Sequence, residues 1–467
     1  MIRLIPIIIY FIILLPSCSK KHYPEVLIGG HHYVSVMEFG TKANGTTDDR
    51  YAIQRAIDSG KDLYFPKGRY LLKSKTNTQA LLSIYHKKHP EKLLFAPGAI
   101  LVVSPGQPKD YIKPAVLQIL AEKENIGTVE ISGITIEGNR TQHNIENPGI
   151  IAFERPGKRI KKLILRDINI RNTGGGGIHT QAEKNYFYNI HTENCGSHGI
   201  GIINTTNPGK INEFYLDGYI SIDDDAYSID FSGKKKGKKA LPGYGWIGKA
   251  KNVVSKRSEY GIKAAGYWHL ELENIHIENS KNNGFFINVD APGSVIKAEN
   301  MTITNAGGSG LQLQGDTYFE GKKIGVEGCG VAVNIGKANV KIDDLVIDGK
   351  NKNTATIRMG ASPVEITNFV IRNTAAKDEY PIWICGVKVV LKNGRIENTH
   401  GLADIIVHET AGNVLLENIQ FSKSSDRSPR KSIVNIQKQG HTKVINCQFQ
   451  GKNKRIDDRV KRVIQDY

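Results

Sequence analysis

A six-residue phrase recurs along most of the chain: Asn or Asp, an apolar residue, any residue, an apolar residue, any residue, then often Asn. It reads DINIRN from Asp167, NIHTEN from Asn189, NIHIEN from Asn274 and NMTITN from Asn300. It returns as DLVIDG from Asp344, NFVIRN from Asn368, NGRIEN from Asn393, NIQFSK from Asn418 and NCQFQG from Asn446. With weaker copies at Gly133, Asp217, Asn252 and Lys323, the spacing is roughly 26 residues. A period of that size, written in strand residues with no helical stripe, describes coils that bury their apolar faces only by stacking. Leucine-rich repeats share the period but need a leucine consensus that this chain lacks. The expectation is all-β: a single-stranded right-handed parallel β-helix of about 13 coils. The repeated Asn or Asp should form a ladder, each side chain bonding to the turn of the next coil.

About eleven residues after each Asn comes a second strand phrase, Gly-apolar-x-apolar. Its copies are GIHTQ at 177, GIGII at 199, SIDFS at 228, GIKAA at 261, GFFIN at 284, GLQLQ at 310 and GVAVN at 330. Alternation turns Ile178, Ile200, Ile229, Ile262, Phe285, Leu311 and Val331 inward. The outward column then reads His179, Gly201, Asp230, Lys263, Phe286, Gln312, Ala332. The next reads Gln181, Ile203, Ser232, Ala265, Asn288, Gln314, Asn334. Glu183, Asp290 and Asp316 fall in a third.

Equivalent residues on stacked coils lie about 4.8 Å apart, so these columns describe a surface. Small residues at 201 and 265 stand beside varied polar groups, as in the floor of a sugar-binding cleft. On a plain solvent face, an Asp230–Lys263 pair would contribute only a few tenths of a kcal/mol. His191 and His276 point outward on the other phrase, among Glu, Thr and Asn, and read as surface residues.

The insertion FSGKKKGKKALPGYGWIG (231–248) emerges beside this column. Lys234, Lys235 and Lys236 crowd like charges that a polyanion would screen, and Trp246 is a candidate sugar-stacking ring. Asp223, Asp224 and Asp225 form a carboxylate triplet before the Asp230 strand, a weak calcium candidate. No cofactor is otherwise required.

Residues 1–17 read as a signal segment, with one early cation and an apolar run too short for a comfortable span. LPSCSK resembles a bacterial lipobox, with Cys18 as the lipid-bearing residue. Lys20 and Lys21 stand where surface lipoproteins of Bacteroides-like bacteria tend to carry acidic residues, so either face of the outer membrane stays open. An envelope location, a membrane anchor through that lipid and a monomeric state follow as expectations. Residues 18–32 would be a linker, 33–450 the β-helix and 451–467 a tail or capping helix, with Ile456, Val460 and Val463 at helical spacing. The formal charge of +17 on an exported chain favours an acidic polysaccharide or oligosaccharide over nucleic acid. Cys195, Cys329, Cys385 and Cys447 fall on different coils, too far apart to bridge, and are expected as free thiols.

The segment VSVMEFGTKANGTTDDRYAIQRAIDSGKDLYFPKGRYLL resembles the opening of pectate-lyase-like β-helix enzymes. There a strand, a DG-TDD-type turn, a short helix and an FP-G-Y phrase cap the solenoid. Here Thr47 would cap a helix over 48–58, with Gly60 stopping it. The resemblance implies carbohydrate chemistry without choosing between lyase and hydrolase. Polygalacturonase-type hydrolases follow their aspartates with His-Gly and Arg-x-Lys phrases in a set order. In this chain GSHGIG precedes the aspartates and only YGIKAAG follows.

Three readings result. A polysaccharide lyase acting on a uronate glycan, such as a glycosaminoglycan or pectin, would use Lys263 as base or carboxylate partner. His179, Tyr227 or Tyr260 would be the acid, with Asn288 and Gln312 on the substrate. A difficulty is Asp230, whose charge favours the ammonium form of its neighbour. A glycoside hydrolase would pair Asp230 with Asp224, Glu183 or Asp290. A non-catalytic glycan-binding envelope protein is the third.

Overall fold

A computed structural model describes residues 23–73, 80–104, 115–140, 148–237, 239–288, 290–350, 356–360, 362–375, 380–422, 431–450 and 456–466. The expected lipid-bearing Cys18 lies outside them. The chain is wound as a parallel β-helix. One sheet has 15 strands stacked in chain order, and a 23-stranded sheet wraps the remaining faces. The inward side chains make one continuous apolar column from Val34 to Val444.

The repeated Asn is explained by its backbone. Asn189, Asn274, Asn300, Asn368, Asn393 and Asn418 all have φ between 54° and 57°. That is the left-handed region, which Asn enters more cheaply than other residues with side chains. The bend it makes divides each long strand into two faces. Its side chain then reaches the preceding coil: Asn274 Nδ2 donates to Asn252 Oδ1 at 3.1 Å, and Asn300 Nδ2 to Asn274 Oδ1 at 3.2 Å. A second ladder runs one turn further on, where Asn194 donates to Asn172 at 2.7 Å and Asn398 to Asn373 at 2.7 Å.

The N-terminal cap has one short helix, Arg50–Asp58, which buries Ile53, Ala56 and Ile57. It starts later than Thr47 would set it. Thr47 belongs to the strand Asn44–Asp48, and Asp49 occupies the cap position. The Asp49 carboxylate is turned back to accept the amides of Lys42 and Ala43, so it pins the preceding turn instead of the helix. Gly60 closes the helix at φ 68°. At the far end the expected helix is replaced by strands Ile456–Asp458 and Val463–Asp466, which extend the two sheets. All four cysteines among the described residues are free.

Candidate active site

The front face is the outer side of the 15-stranded sheet. Its register runs Ile151, His179, Gly201, Asp230, Lys263, Phe286, Gln312. The residue in line after Gln312 is Asn334, not Ala332, because Leu311 pairs with Val333. A slip of two residues keeps every side chain on its own face, so the alternation VAVNI gives no warning of it. Ala332 is buried instead.

Lys263 and Asp230 are the centre of the face. The ammonium lies 3.1 Å from each carboxylate oxygen, and the side chains are only 12% and 7% exposed. Ser232 Oγ donates to Asp230 Oδ1 at 2.6 Å, filling another lone pair. Lys263 Nζ also sits 4.6 Å from the centre of the Tyr227 ring. A charge this shielded persists because its partner is next to it. The contact also fixes the lysine as a donor.

Beside the pair stands an aromatic array. His198 stacks on Tyr227 at 5.5 Å, and His179 lies 4.9 Å from His198. Tyr260 and Phe286 close the other side, at 5.1 and 5.8 Å from Tyr227. Burial pulls the His179 imidazole down to about 3; His198 adds to this and Asp230 opposes it. Burial also lowers His198, with Asp230 opposing and Lys263 assisting. Both rings are therefore neutral at physiological pH. The Tyr227 phenol is pushed up, first by burial and then by Asp230. His179 Nε2 and His198 Nδ1 are shielded from solvent and have no hydrogen-bond partner. Orphaned ring nitrogens beside a shielded ion pair make this cluster the candidate site.

Gly201 makes room for this. A β-carbon there would lie 2.7 Å from His179 Cδ2 and 3.2 Å from His198 Cδ2. His198 was not among the residues singled out from the strand pattern, because it lies in a turn before the Ile200–Asn204 strand, outside any alternation. The phrase GSHGIG was the available signal.

The other candidates divide. Asn288 is exposed, and Gln312 and Gln314 are half-buried beside the cluster. Gln181 is committed to the fold: its side chain accepts the Glu154 amide at 2.9 Å and meets Thr205 and Thr206. Trp246 is 1% exposed and stacks on Trp268 inside the coil, so it offers no surface to a sugar. It already belongs to the strand Tyr244–Lys256, aligned with inward Trp268, although a glycine-rich stretch precedes it. The lysine insertion forms a small hairpin, Lys235–Lys236 against Lys239–Ala240. The Ala240 amide donates to the Asp290 carbonyl at 2.9 Å, and Ala240 packs on Ala265 and Ala291. The hairpin thereby walls one side of the front face, with Lys234 and Lys236 exposed on it.

The aspartate triplet does not converge on a metal. Asp223 holds Arg257 at 2.8 Å through two bonds, and Asp225 pairs with Arg140. Asp224 turns inward to accept Thr192 Oγ1, Ser221 Oγ and the Cys195 amide. Burial raises its carboxyl despite those bonds. It cannot act opposite Asp230 across a bond on the outer face. Asp290, another possible partner, lies 3.4 Å from Lys337 and accepts the Asp316 amide. No group of three or more metal-ligating side chains converges among the described residues.

A depression of about 570 Å³ lies on the other sheet, between Tyr186, Tyr215, Ile247, Lys249, Glu271 and Lys297. There Lys249, Glu271, Lys297 and Glu320 alternate in sign along one column. Pairs such as Lys249–Glu273 at 2.6 Å and Lys184–Glu213 at 3.0 Å satisfy the charges locally. This is a cross-strand charge ladder that stabilises an exposed sheet.

Residues 33–85 match the family described as rhamnogalacturonase A/epimerase, pectate lyase-like. The match covers the N-terminal part of the chain, and the chain's own architecture is a parallel β-helix. No curated protein matches the sequence. Among solved structures, the A-module of the Azotobacter vinelandii mannuronan C-5 epimerase AlgE4 is 12% identical, with 91% of this chain and 99% of that one covered, at a TM-score of 0.43. A Yersinia enterocolitica family 28 exopolygalacturonase is 13% identical over 91% and 78%, at 0.37. The tailspike of E. coli bacteriophage HK620, solved with a pentasaccharide, is 12% identical over 93% and 80%, at 0.48. The activities in those names belong to those proteins.

Proposed function

We propose that the chain is a polysaccharide lyase that cleaves a uronate-containing glycan by β-elimination at the front-face cluster. The observation that carries this reading is the juxtaposition of a shielded Lys263–Asp230 pair with two neutral histidines and Tyr227. Elimination needs a cation on the uronate carboxylate, a base for the C5 proton and an acid for the leaving oxygen. Lys263, oriented by its contact with Asp230, meets the first need. His198 meets the second. Its low proton affinity in the empty site would rise when the substrate carboxylate arrives, because an added negative charge favours imidazolium. Tyr227, whose phenol burial and Asp230 push up, or its neighbour Tyr260 would donate to the leaving oxygen. The proton taken from C5 and the one given to the leaving oxygen balance, and the C4–O bond breaks as the C4–C5 double bond forms.

Hydrolysis loses two of its three candidate partners for Asp230, since Asp224 is turned into the coil and Asp290 is engaged elsewhere, which leaves only Glu183. Product mass separates the two. Elimination yields a fragment lighter by one water than hydrolysis does. Products carrying that water throughout would refute the lyase. The basic hairpin fits an acidic polymer, and the names of the family and of two similar structures fit a polysaccharide partner.

A further inference from the structure

Beyond the cluster, the same outward column continues through Gln312, Asn334, Arg358 and Trp383 to Ile406 and Val434. Its ends are closed. Gln118 and Ile151 on one side, and Ile406 and Val434 on the other, point outward yet are buried. Between the cluster and Ile406 the column is open: Gln312, Asn334 and Trp383 are half-buried and Arg358 is exposed. Trp383 is unlike the other two tryptophans, which are core residues. Its ring sits on the face, edge-on to Tyr380 at 5.5 Å and 6.1 Å from His408. An aromatic group held outward on a sheet, framed by two further rings and one strand from a guanidinium, is poorly explained by stability alone.

We infer that Trp383 and Arg358 form a distal subsite that holds a uronate polymer whose scissile unit lies at Lys263, so that the glycan runs along the solenoid axis. The inference rests on the uronate reading above. Trp383 offers a broad apolar ring face, suited to the C–H face of a pyranose ring. Arg358, on the adjacent strand, offers the planar fork that matches a carboxylate. Five strand steps separate Lys263 from Trp383. At about 4.8 Å each, that is roughly 24 Å. A disaccharide at the cluster cannot reach Trp383, whereas a decasaccharide can. The subsite would make the enzyme favour long chains.

The test uses the His198→Ala chain, which lacks the proposed base but keeps Lys263, so that the probe is not consumed, with and without Trp383→Ala. The probes are disaccharides and decasaccharides of chondroitin sulfate and of polygalacturonate, titrated calorimetrically. Trp383→Ala should weaken decasaccharide binding about tenfold, the loss typical of a truncated aromatic anchor, and leave disaccharide binding unchanged. Trp383→Phe, which keeps a ring, should recover most of the loss and guards against misfolding. Because Trp246 and Trp268 are core residues, decasaccharide binding should also change the intrinsic fluorescence in a way that Trp383→Phe abolishes. Equal decasaccharide affinity with and without Trp383, or parallel losses for both lengths, would overturn the subsite while leaving the cluster intact. Failure of every uronate probe to bind the intact chain would overturn the uronate reading, and the subsite with it.

Discussion

Removing one member of the Asp230–Lys263 pair should cost far more than removing both. The two side chains are 7% and 12% exposed and in direct contact. Deleting a partner strands a charge with little water to solvate it. Fully buried pairs lose about 3–5 kcal/mol in this way. The residual exposure here, and the Ser232 hydroxyl left to either survivor, reduce that to about 2–3 kcal/mol for Asp230→Ala or Lys263→Met. The double variant Asp230→Leu with Lys263→Met presents an apolar surface to Tyr227 and Phe286 and should lie within about 1 kcal/mol of the parent. The assay is urea unfolding of all four chains. It should be read with amide exchange at residues 229–232 and 262–265, since long repeat arrays need not unfold in one step. Single costs below about 0.5 kcal/mol that simply add would refute the argument and return the pair to an ordinary surface contact.

Three further outcomes follow from the same geometry. His179 is neutral in the folded chain down to about pH 3 but titrates near its ordinary value of about 6.5 when unfolded. The unfolded state therefore binds the extra proton between those values, and stability present above pH 6.5 should fall on acidification by at most about 1.4 kcal/mol per unit. His179→Gln should flatten that part of the curve, and parallel pH profiles would refute it. Gly201→Ala places a methyl 2.7 Å from His179, so it should destabilise by about 1–3 kcal/mol in thermal unfolding and displace both imidazoles. Asn274→Ala loses two ladder bonds and strains a residue at φ 55°, whereas Asn274→Gly loses the bonds alone. The alanine variant should be the less stable by about 1 kcal/mol, and the reverse order would contradict the role given to the left-handed bend.

Much of this architecture is written locally. The Asn phrase encodes a left-handed bend and a ladder, and the strand alternation encodes which side chains face out. Hence His179, Gly201, Asp230 and Lys263 could be aligned from the sequence, and the structure aligns them the same way. The failures share a cause: they lie where the two periods do not decide the outcome. The two-residue slip at Val331 preserves alternation. Asp224 and His198 sit in turns, where nothing in the pattern says whether a side chain faces the core or the cleft. Trp246 follows a glycine-rich loop but has already entered a strand. Thr47 and Asp49 each suit a helix cap, and the choice depends on the amides of Lys42 and Ala43, which fold back from outside the helix.

The most direct test of the central claim is the ultraviolet absorbance of an unsaturated uronate product. The chain would be given chondroitin sulfates, hyaluronan, heparan sulfate and pectins, with and without calcium. The account predicts a rising signal on at least one of these polymers, lost in both Lys263→Ala and His198→Ala. New reducing ends without that absorbance, or a signal that survives both substitutions, would contradict it.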